Sequence, residues 1–203
     1  QKKYLNLSSN DYLGINLGTI NYSQMQSSSR LISGNDSNFE KLEKLLSKHK
    51  SHEKSIVYPT GYMANLGAIP SIVEKNDFVF SDELNHVSII EACKLSGAKI
   101  KIYKHNDVED LEKKLNKTNG RKFIITEGIF SMDGDISSLK EITNISANND
   151  SILILDDAHG DFVFGRNGRG TGDILGVNKK IDVYISSLSK WLGSFGGYIS
   201  SQK

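Results

Sequence analysis

Short apolar runs alternate with helical patterns along most of the chain. Seven runs, most of them rich in Ile, Val, Phe and Tyr, predict buried strands at 55–58, 78–80, 100–103, 123–125, 152–155, 183–185 and 198–199. Between the first five runs, helical patterns predict helices at Met63–Val73, Val87–Leu95, Val108–Leu115 and Leu139–Ala147. Strands that alternate with helices form βαβ units. The pattern therefore predicts an α/β fold with a seven-stranded, mostly parallel sheet and helices on both faces.

The connection between the last two predicted strands sets the direction of the final strand. Only Leu188–Gly197 separates these two strands. A crossover between parallel strands needs about a dozen residues or more. We therefore expect the final strand to run antiparallel to the strand before it.

The segment before the first strand has a different character. Residues 1–36 are polar and rich in Ser and Asn, which predicts an irregular arm. The sequence Ser37-x-x-Glu40 reads as a capping box that starts a helix. We interpret the Lys/His run at 48–54 as the solvated end of this helix. The expected organisation is an arm over residues 1–36 and one α/β domain over residues 37–203.

Composition and charge exclude several classes of protein. The 203 residues carry 25 Lys and Arg against 24 Asp and Glu, a formal net charge of +1. A nucleic-acid binder held mainly by phosphate neutralisation needs a basic excess on one face, so the balance excludes that class. The one cysteine, Cys93, excludes a disulfide framework and a Cys-cluster metal site. No apolar run approaches the roughly 18 residues of a membrane span. We expect a cytoplasmic protein with neither nucleic acid nor membrane as a partner.

The carboxyl ends of the strands are where an open α/β sheet binds its ligands. After the first predicted strand, a turn of small residues around Gly61 opens directly into a helix. Free N–H groups and the positive end of the helix dipole favour an anion such as phosphate there. A simple strand-to-helix turn is the alternative interpretation.

Asp156 stands at the very end of the fifth predicted strand. Burial of its carboxylate there is costly unless a cation meets it. A metal is one answer, since Asp157, His159 and Asp161 follow closely, although no second cluster completes a coordination shell. The protonated ring nitrogen of an organic cofactor is the other answer.

Two further residues at strand ends narrow the chemistry. Lys190 follows the sixth predicted strand among hydroxyls and glycines, where it can stay near a phosphate or become a nucleophile. His86 follows the second strand, and its ring is able to stack on a ligand. A phosphate turn, a stacking histidine, an aspartate for a ring nitrogen and a Schiff-base lysine are what pyridoxal phosphate requires.

These residues belong to motifs that span essentially the whole chain. The motifs lie at 5–14, 29–35, 81–86, 105–107, 127–135, 156–160, 168–170, 189–190 and 196–197. In them the sequence resembles the α-oxoamine synthases, a fold-type I family of pyridoxal-phosphate enzymes. The resemblance implies the large, cofactor-binding domain of that family over residues 37–203. It also implies that a small carboxyl-terminal domain, with the arginine that holds the substrate carboxylate, is absent from these 203 residues.

The resemblance gives roles to the catalytic candidates Lys190, His86 and His159. Lys190 would form the Schiff base with the cofactor and then act as acid and base at the substrate α-carbon. His86 would stack on the cofactor ring, and Asp156 would pair with the pyridinium nitrogen. His159 would bond near the phenolic oxygen of the ring.

Other residues would complete the site by the same resemblance. Ser131 would join His159 near the phenolic oxygen, and Asn10 is a candidate for contact with the amino-acid substrate. The phosphate would be held by three residues, Gly61, Tyr62 and Ser187.

The implied reaction is a decarboxylating condensation of a small amino acid with an acyl-CoA thioester. The family's active sites form across a subunit interface, which implies a homodimer. The residues do not decide which amino acid and which acyl-CoA react. Two other classes stay open: a non-catalytic homologue that serves as a partner subunit, and a metal-dependent enzyme built on Asp156-Asp157-x-His159. The presence of Lys190, Asp156 and His159 together counts against the former, and the incomplete shell counts against the latter.

Overall fold

Seven strands form one sheet in the computed structural model, which describes residues 9–14 and 28–202. Their bounds are β1 (Lys54–Tyr58), β2 (Phe78–Asp82), β3 (Lys99–Tyr103), β4 (Lys122–Glu127), β5 (Ser151–Asp156), β6 (Val183–Ser187) and β7 (Gly197–Ser201). The strands lie side by side in the order β1-β7-β6-β5-β4-β2-β3. Every predicted strand is present, each extended by one or two residues at one or both ends.

The direction of β7 confirms the prediction made from the short connection. β7 pairs antiparallel with β6 on one side, where Val183 faces Ser201, and antiparallel with β1 on the other, where Lys54 faces Ser201. The pairs among β2, β3, β4, β5 and β6 are all parallel. The carboxyl ends of six strands therefore meet at one edge of the sheet.

Within the described residues, six α-helices connect or flank the strands. They are α1 (Ser37–Lys50), α2 (Gly61–Ile72), α3 (Val87–Ser96), α4 (Val108–Asn116), α5 (Leu139–Asn148) and α6 (Thr171–Ile174), with short 3₁₀ turns at Arg166–Gly168 and Asn178–Lys180. The four predicted crossover helices are confirmed as α2 to α5. Within residues 9–14 and 28–202, no helix has the length and apolar character to cross a membrane.

Side-chain alternation along the strands divides the core between the two faces of the sheet. On one face, Phe123 and Ile125 of β4 pack with Ala68 and Ile69 of α2 and with α3 residues. On the other face, Ile124 packs with the side chains of α4 and α5. Glu127 follows Ile125 at the same parity and Asp156 follows Ile154, so both carboxyl groups lie on the α2–α3 face.

The structure corrects two expectations about α1. Asp36, not Ser37, is the N-cap, and its side chain accepts the N–H of Asn38. The end of the helix is not fully solvated, because Lys50 has 0% exposure and His52 has 8%. The Lys/His pattern is that of an exposed segment, but Lys50 reaches the buried carboxylate of Asp161 at 3.0 Å. A distant charge decides the burial, which local sequence does not reveal.

The predicted arm falls only in part within the described residues. Residues 1–8 and 15–27 of the arm lie outside them. The described part of the arm places Tyr12 against His159, with the phenolic oxygen 2.5 Å from Nδ1 of the imidazole.

Candidate active site

A cavity of about 210 Å³ opens at the carboxyl edge of the sheet. It is bounded by residues that follow or end β1, β2, β4, β5 and β6. Seven of the nine predicted site residues line it: Gly61, Tyr62, His86, Asp156, His159, Ser187 and Lys190. The parallel arrangement of the strands is what brings these distant parts of the sequence together.

The first turn of α2 forms one wall of the cavity. Thr60 is the N-cap, and its Oγ1 accepts the N–H of Met63 at 3.0 Å. The N–H groups of Gly61 and Tyr62 are in the first helical turn, where an α-helix provides no intrahelical acceptor. These groups and the helix dipole make this wall electropositive.

Close packing explains the glycine at the start of α2. A Cβ atom on Gly61 would lie 2.9 Å from the Cβ of Ser187, at the end of β6. A Cβ on Gly197, at the start of β7, would lie 2.5 Å from the Cα of Gly61. The Oγ atoms of Ser187 and Ser189 lie 2.8 Å apart beside this turn. The turn and the two hydroxyls form a donor set suited to a phosphate group.

Asp156 is the buried anion of the site. Its Oδ2 accepts from Nδ2 of Asn65 at 2.7 Å, and its Oδ1 accepts from the N–H of Ala158 at 3.0 Å. Burial raises the pKa of Asp156, while these two hydrogen bonds and the charges of His86 and Lys190 act to lower it. Both oxygens are thus held in place with donors that favour the ionised form.

His86 stands at the junction between β2 and α3. It is the N-cap of α3, and its Nδ1 accepts the N–H of Ser88 at 3.2 Å. Its ring lies edge-on to Tyr62, with the centroids 6.2 Å apart. The cap therefore fixes the ring at the wall of the cavity while leaving much of the residue exposed.

His159 lies between this cavity and a neighbouring one. Burial lowers the pKa of His159 to about 4, and the charges of Lys190 and His86 act in the same direction. The neighbouring cavity, about 590 Å³, is lined by His159 together with Asn10 and Ser131. The structure thus places Asn10 and Ser131 beside the first cavity and not in its lining.

Lys190 lies in the loop after β6, three residues beyond Ser187. It lines the cavity that Asp156, His86 and His159 also line. Its charge contributes to lowering the pKa of both Asp156 and His159, which places the ammonium group within electrostatic reach of both.

Six residues of the lining were not predicted: Thr60, Asn65, Ser88, Glu127, Ala158 and Ser189. Asn65 carried a signal, because it is a polar residue within the otherwise apolar segment that forms α2. Glu127 carried one as well, since it ends an apolar strand in the same manner as Asp156. The partners of these side chains come from other strands, so the sequence alone did not show that they converge.

The metal alternative is not favoured by the directions of its proposed ligands. Asp156 accepts from Asn65 of α2, whereas Asp157, the residue after β5, accepts from Thr171, whose Oγ1 is 2.7 Å from Oδ1. Over residues 9–14 and 28–202, the group of three or more carboxylates and histidines within metal-binding distance of one another is His105, Asp133 and Asp135. That group includes none of the residues of Asp156-Asp157-x-His159.

Comparisons with known proteins agree with the predicted fold and family. The family model for class I and II aminotransferases matches residues 2–203. The 8-amino-7-oxononanoate synthase of Coprothermobacter proteolyticus is 43% identical over 215 residues, which cover 100% of this chain and 55% of the relative. The chain thus spans about half the length of this curated relative.

Solved structures give the same family. A serine palmitoyltransferase from S. paucimobilis superposes with a TM-score of 0.85 and 34% identity, over 87% of this chain and 45% of that one. The 8-amino-7-oxononanoate synthase of Francisella tularensis superposes with a TM-score of 0.74 and 31% identity, over 83% of this chain and 49% of that one. Because the family model matches almost the entire sequence, the chain belongs to the class I and II aminotransferase family.

Proposed function

We propose that this chain carries the cofactor site of a pyridoxal-phosphate-dependent acyltransferase of the α-oxoamine synthase type. The reaction is the decarboxylating condensation of a small amino acid with an acyl-CoA thioester. The observation that carries the proposal is the convergence of Lys190, Asp156, His86 and the α2 N-terminus on one cavity. A solved serine palmitoyltransferase of similar fold, 35% identical to this chain, holds pyridoxal phosphate as its internal aldimine.

The residues present fit this cofactor in charge and shape. The electropositive first turn of α2, with the hydroxyls of Ser187 and Ser189, matches a phosphate group. The Asp156 carboxylate is buried and forms no salt bridge with a cation among residues 9–14 and 28–202, and a protonated pyridine nitrogen would supply that cation. Lys190 supplies the amine that the aldehyde of the cofactor requires.

When bound, pyridoxal phosphate supplies an electron sink for negative charge that develops at the amino-acid α-carbon. Asp156 would hold a negative charge for the ring nitrogen of the cofactor. Lys190 would take the proton from the substrate α-carbon and return one later. The lowered pKa of His159 keeps its imidazole neutral, so it would offer a hydrogen bond to the phenolic oxygen without adding a charge. His86 would bound the face of the ring.

For the substrates, we propose L-alanine and a pimeloyl thioester, the reaction of 8-amino-7-oxononanoate synthase in biotin synthesis. The support is the identity of 43% with the Coprothermobacter proteolyticus enzyme of that name across the whole chain. Glycine with acetyl-CoA, the reaction of glycine C-acetyltransferase, is the competing pair.

We further propose a homodimer in the cytoplasm, with residues 1–36 as an arm and residues 37–203 as the cofactor-binding domain. Sedimentation of the purified protein measures the oligomeric state, cell fractionation measures the location, and limited proteolysis maps the arm. A monomer at micromolar concentration would overturn the first of these proposals.

The cofactor is tested on the full-length purified protein. With added pyridoxal phosphate we expect a visible absorbance band that borohydride bleaches, with the reduced adduct on Lys190 by peptide mass spectrometry. Lys190→Ala removes the adduct, whereas Lys179→Ala, at an exposed lysine, leaves it unchanged. A protein that stays colourless overturns the cofactor proposal, and an adduct on another lysine overturns the assignment of Lys190.

The substrates are tested by following the release of free CoA. Alanine and glycine are each paired with pimeloyl-CoA and with acetyl-CoA. Turnover that is fastest with alanine and pimeloyl-CoA supports the proposed reaction. Turnover that is fastest with glycine and acetyl-CoA replaces it, and a coloured protein without turnover favours the non-catalytic partner subunit.

A further inference from the structure

Glu127 is a second carboxyl group in the cofactor cavity, and the proposed function gives it no role. It ends β4, has 3% exposure and lines the cavity. In the parallel pair of β4 and β5 its Cα partner is that of Asp156. Since paired residues of parallel strands project from the same face of the sheet, the two carboxyl groups are neighbours.

The Glu127 carboxyl group holds the segment that carries His86. Its Oε1 accepts the backbone N–H of His86, which is the N-cap of α3. The backbone N–H of Ser131, in the loop after β4, acts on the same carboxyl group to lower its pKa. By the family resemblance, His86 would stack on the cofactor ring and Ser131 would lie near its phenolic oxygen. The Glu127 carboxyl group thus binds the backbone at the residue that would face the ring.

The charges around Glu127 indicate its protonation state. Burial raises the pKa of Glu127 to about 8, and the negative charge of Asp156 adds to the rise. Asp82, at the end of β2, acts in the same direction, while the backbone N–H groups of His86 and Ser131 oppose the rise. Both oxygens of Asp156 accept N–H hydrogen bonds, and the charges of His86 and Lys190 act to lower the pKa of Asp156. Of two adjacent buried carboxyl groups only one ionises readily, and the donors favour Asp156.

We propose that Glu127 is a positioning residue of the cofactor site, whose neutral carboxyl group fixes the backbone at His86 and leaves Asp156 as the anion. This inference rests on the proposed function for its meaning to the cofactor. A second ionised carboxylate would compete with Asp156 for the positive charge of the ring nitrogen. A neutral acceptor holds the same N–H groups without that competition.

Two variants separate the parts of this proposal. Glu127→Gln keeps an acceptor oxygen for the N–H groups and cannot ionise, whereas Glu127→Ala removes the acceptor. The matched control is Glu83→Gln, because Glu83 also accepts a backbone N–H at this edge, that of His105, but is exposed and outside the cavity lining. Far-UV circular dichroism and a thermal melt check each variant for folding.

The first measurement uses the full-length protein without cofactor. Infrared difference spectra across a pH titration report protonated carboxyl groups. Burial also raises the pKa of Asp157 to about 7, so a protonated-carboxyl band from Asp157 is expected in every variant. We expect a further component of this band that disappears as the pH rises through about 8 in the wild type and in Glu83→Gln, and that Glu127→Gln lacks. The same component in Glu127→Gln, or its absence from the wild type, overturns the neutral state of Glu127. This result does not depend on the cofactor.

The second measurement is the dissociation constant for pyridoxal phosphate, followed by the absorbance of the lysine-bound cofactor. We expect the dissociation constant of Glu127→Gln to lie within about twofold of the wild-type value. For Glu127→Ala we expect a dissociation constant on the order of tenfold higher, because a buried donor loses its hydrogen-bond acceptor. If Glu127→Ala does not fold, Glu127→Gln provides the test: an affinity of Glu127→Gln for pyridoxal phosphate reduced about tenfold overturns the proposal. Wild-type affinity in a folded Glu127→Ala also overturns it. Failure of the wild type itself to bind the cofactor counts against the proposed function and leaves the infrared result to judge Glu127.

Discussion

Replacing Lys50 with Met is expected to destabilise the protein strongly, because Lys50 is a fully buried cation. Its Nζ lies 3.0 Å from Oδ1 of Asp161, 2.7 Å from the carbonyl oxygen of Arg169 and 3.9 Å from Oδ2 of Asp157. The same ammonium group lies 4.0 Å from the centre of the Tyr184 ring. Met conserves much of the aliphatic stem and removes all the charge, so the variant isolates the electrostatic contribution.

The magnitude follows from what remains after the substitution. Asp157 and Asp161 are 0% and 1% exposed, and without Lys50 they form an uncompensated pair of buried acids. Removing one partner of a buried ion pair costs about 3–5 kcal/mol in free energy of unfolding. Asp161 keeps hydrogen bonds from Tyr198 and His49, which stabilise its charge in part. We therefore expect a loss near the lower end, about 3 kcal/mol.

The pH dependence of the stability provides a second test of the role of Lys50. Burial alone would raise the pKa of Asp161, but the charge of Lys50 and the bonds from His49 and Tyr198 bring it down to about 2. A lowered pKa in the folded state adds stability above the unfolded value of roughly 4, and this stability is lost as the pH falls towards 2. In Lys50→Met the pKa of Asp161 rises, so acid destabilisation begins at higher pH.

Urea denaturation at neutral pH, followed by circular dichroism, measures the free energy of unfolding. The control is Lys48→Met, an exposed lysine on the same helix, for which we expect a change within about 0.5 kcal/mol. A Lys50→Met protein whose stability lies within about 1 kcal/mol of this control would refute the reasoning, since such a loss is too small for a broken buried pair.

Three further predictions concern single residues. His159 is expected to titrate with a pKa near 4 in histidine NMR spectra of the protein without cofactor. Because this pKa lies below that of the unfolded state, the contribution of His159 to stability falls as the pH drops from roughly 6.5 towards 4. A titration midpoint near 6.5 would contradict the prediction. Gly61→Ala is expected to lower the free energy of unfolding by about 1–3 kcal/mol and to weaken pyridoxal phosphate binding, because the new Cβ would lie 2.9 Å from the Cβ of Ser187. Wild-type stability in urea would contradict this prediction, since it would show that the end of β6 moves without cost. Asp107→Ala is expected to cost about 1 kcal/mol, since the Asp107 carboxylate caps α4 by accepting the N–H of Asp110 at 2.9 Å; an unchanged urea midpoint would show that the cap contributes nothing.

Much of the fold was predictable because it rests on local patterns. Apolar runs rich in β-branched residues gave all seven strands, and helical spacing gave α2 to α5. The cap of α4 by Asp107 follows from residues adjacent in sequence. The antiparallel direction of β7 followed from the length of the connection between β6 and β7 alone, since ten residues cannot make an ordinary crossover.

The site was predictable where a residue's position at a strand end already implied its chemistry. Asp156 ends an apolar strand, Gly61 opens a helix after a strand and Lys190 follows β6, so fold rules place all three at one edge. The resemblance to a known family supplied individual roles for His86, His159 and Ser131. The structure puts the first two in the cavity lining and Ser131 in the adjacent cavity.

Only the tertiary structure decided the burial and protonation of charged residues whose partners are distant in sequence. Lys50 reads as part of an exposed basic run, but 111 residues later Asp161 provides the anion that keeps it buried. Glu127 reads as one more polar residue at the end of an apolar strand, and its importance comes from a strand register that sets it beside Asp156. The sequence by itself determined the strands, the helices and the edge of the sheet that carries the chemistry, since these depend on hydrophobic period and turn residues. The protonation and burial of the charges depend on through-space interactions, which exist only once the strands are paired.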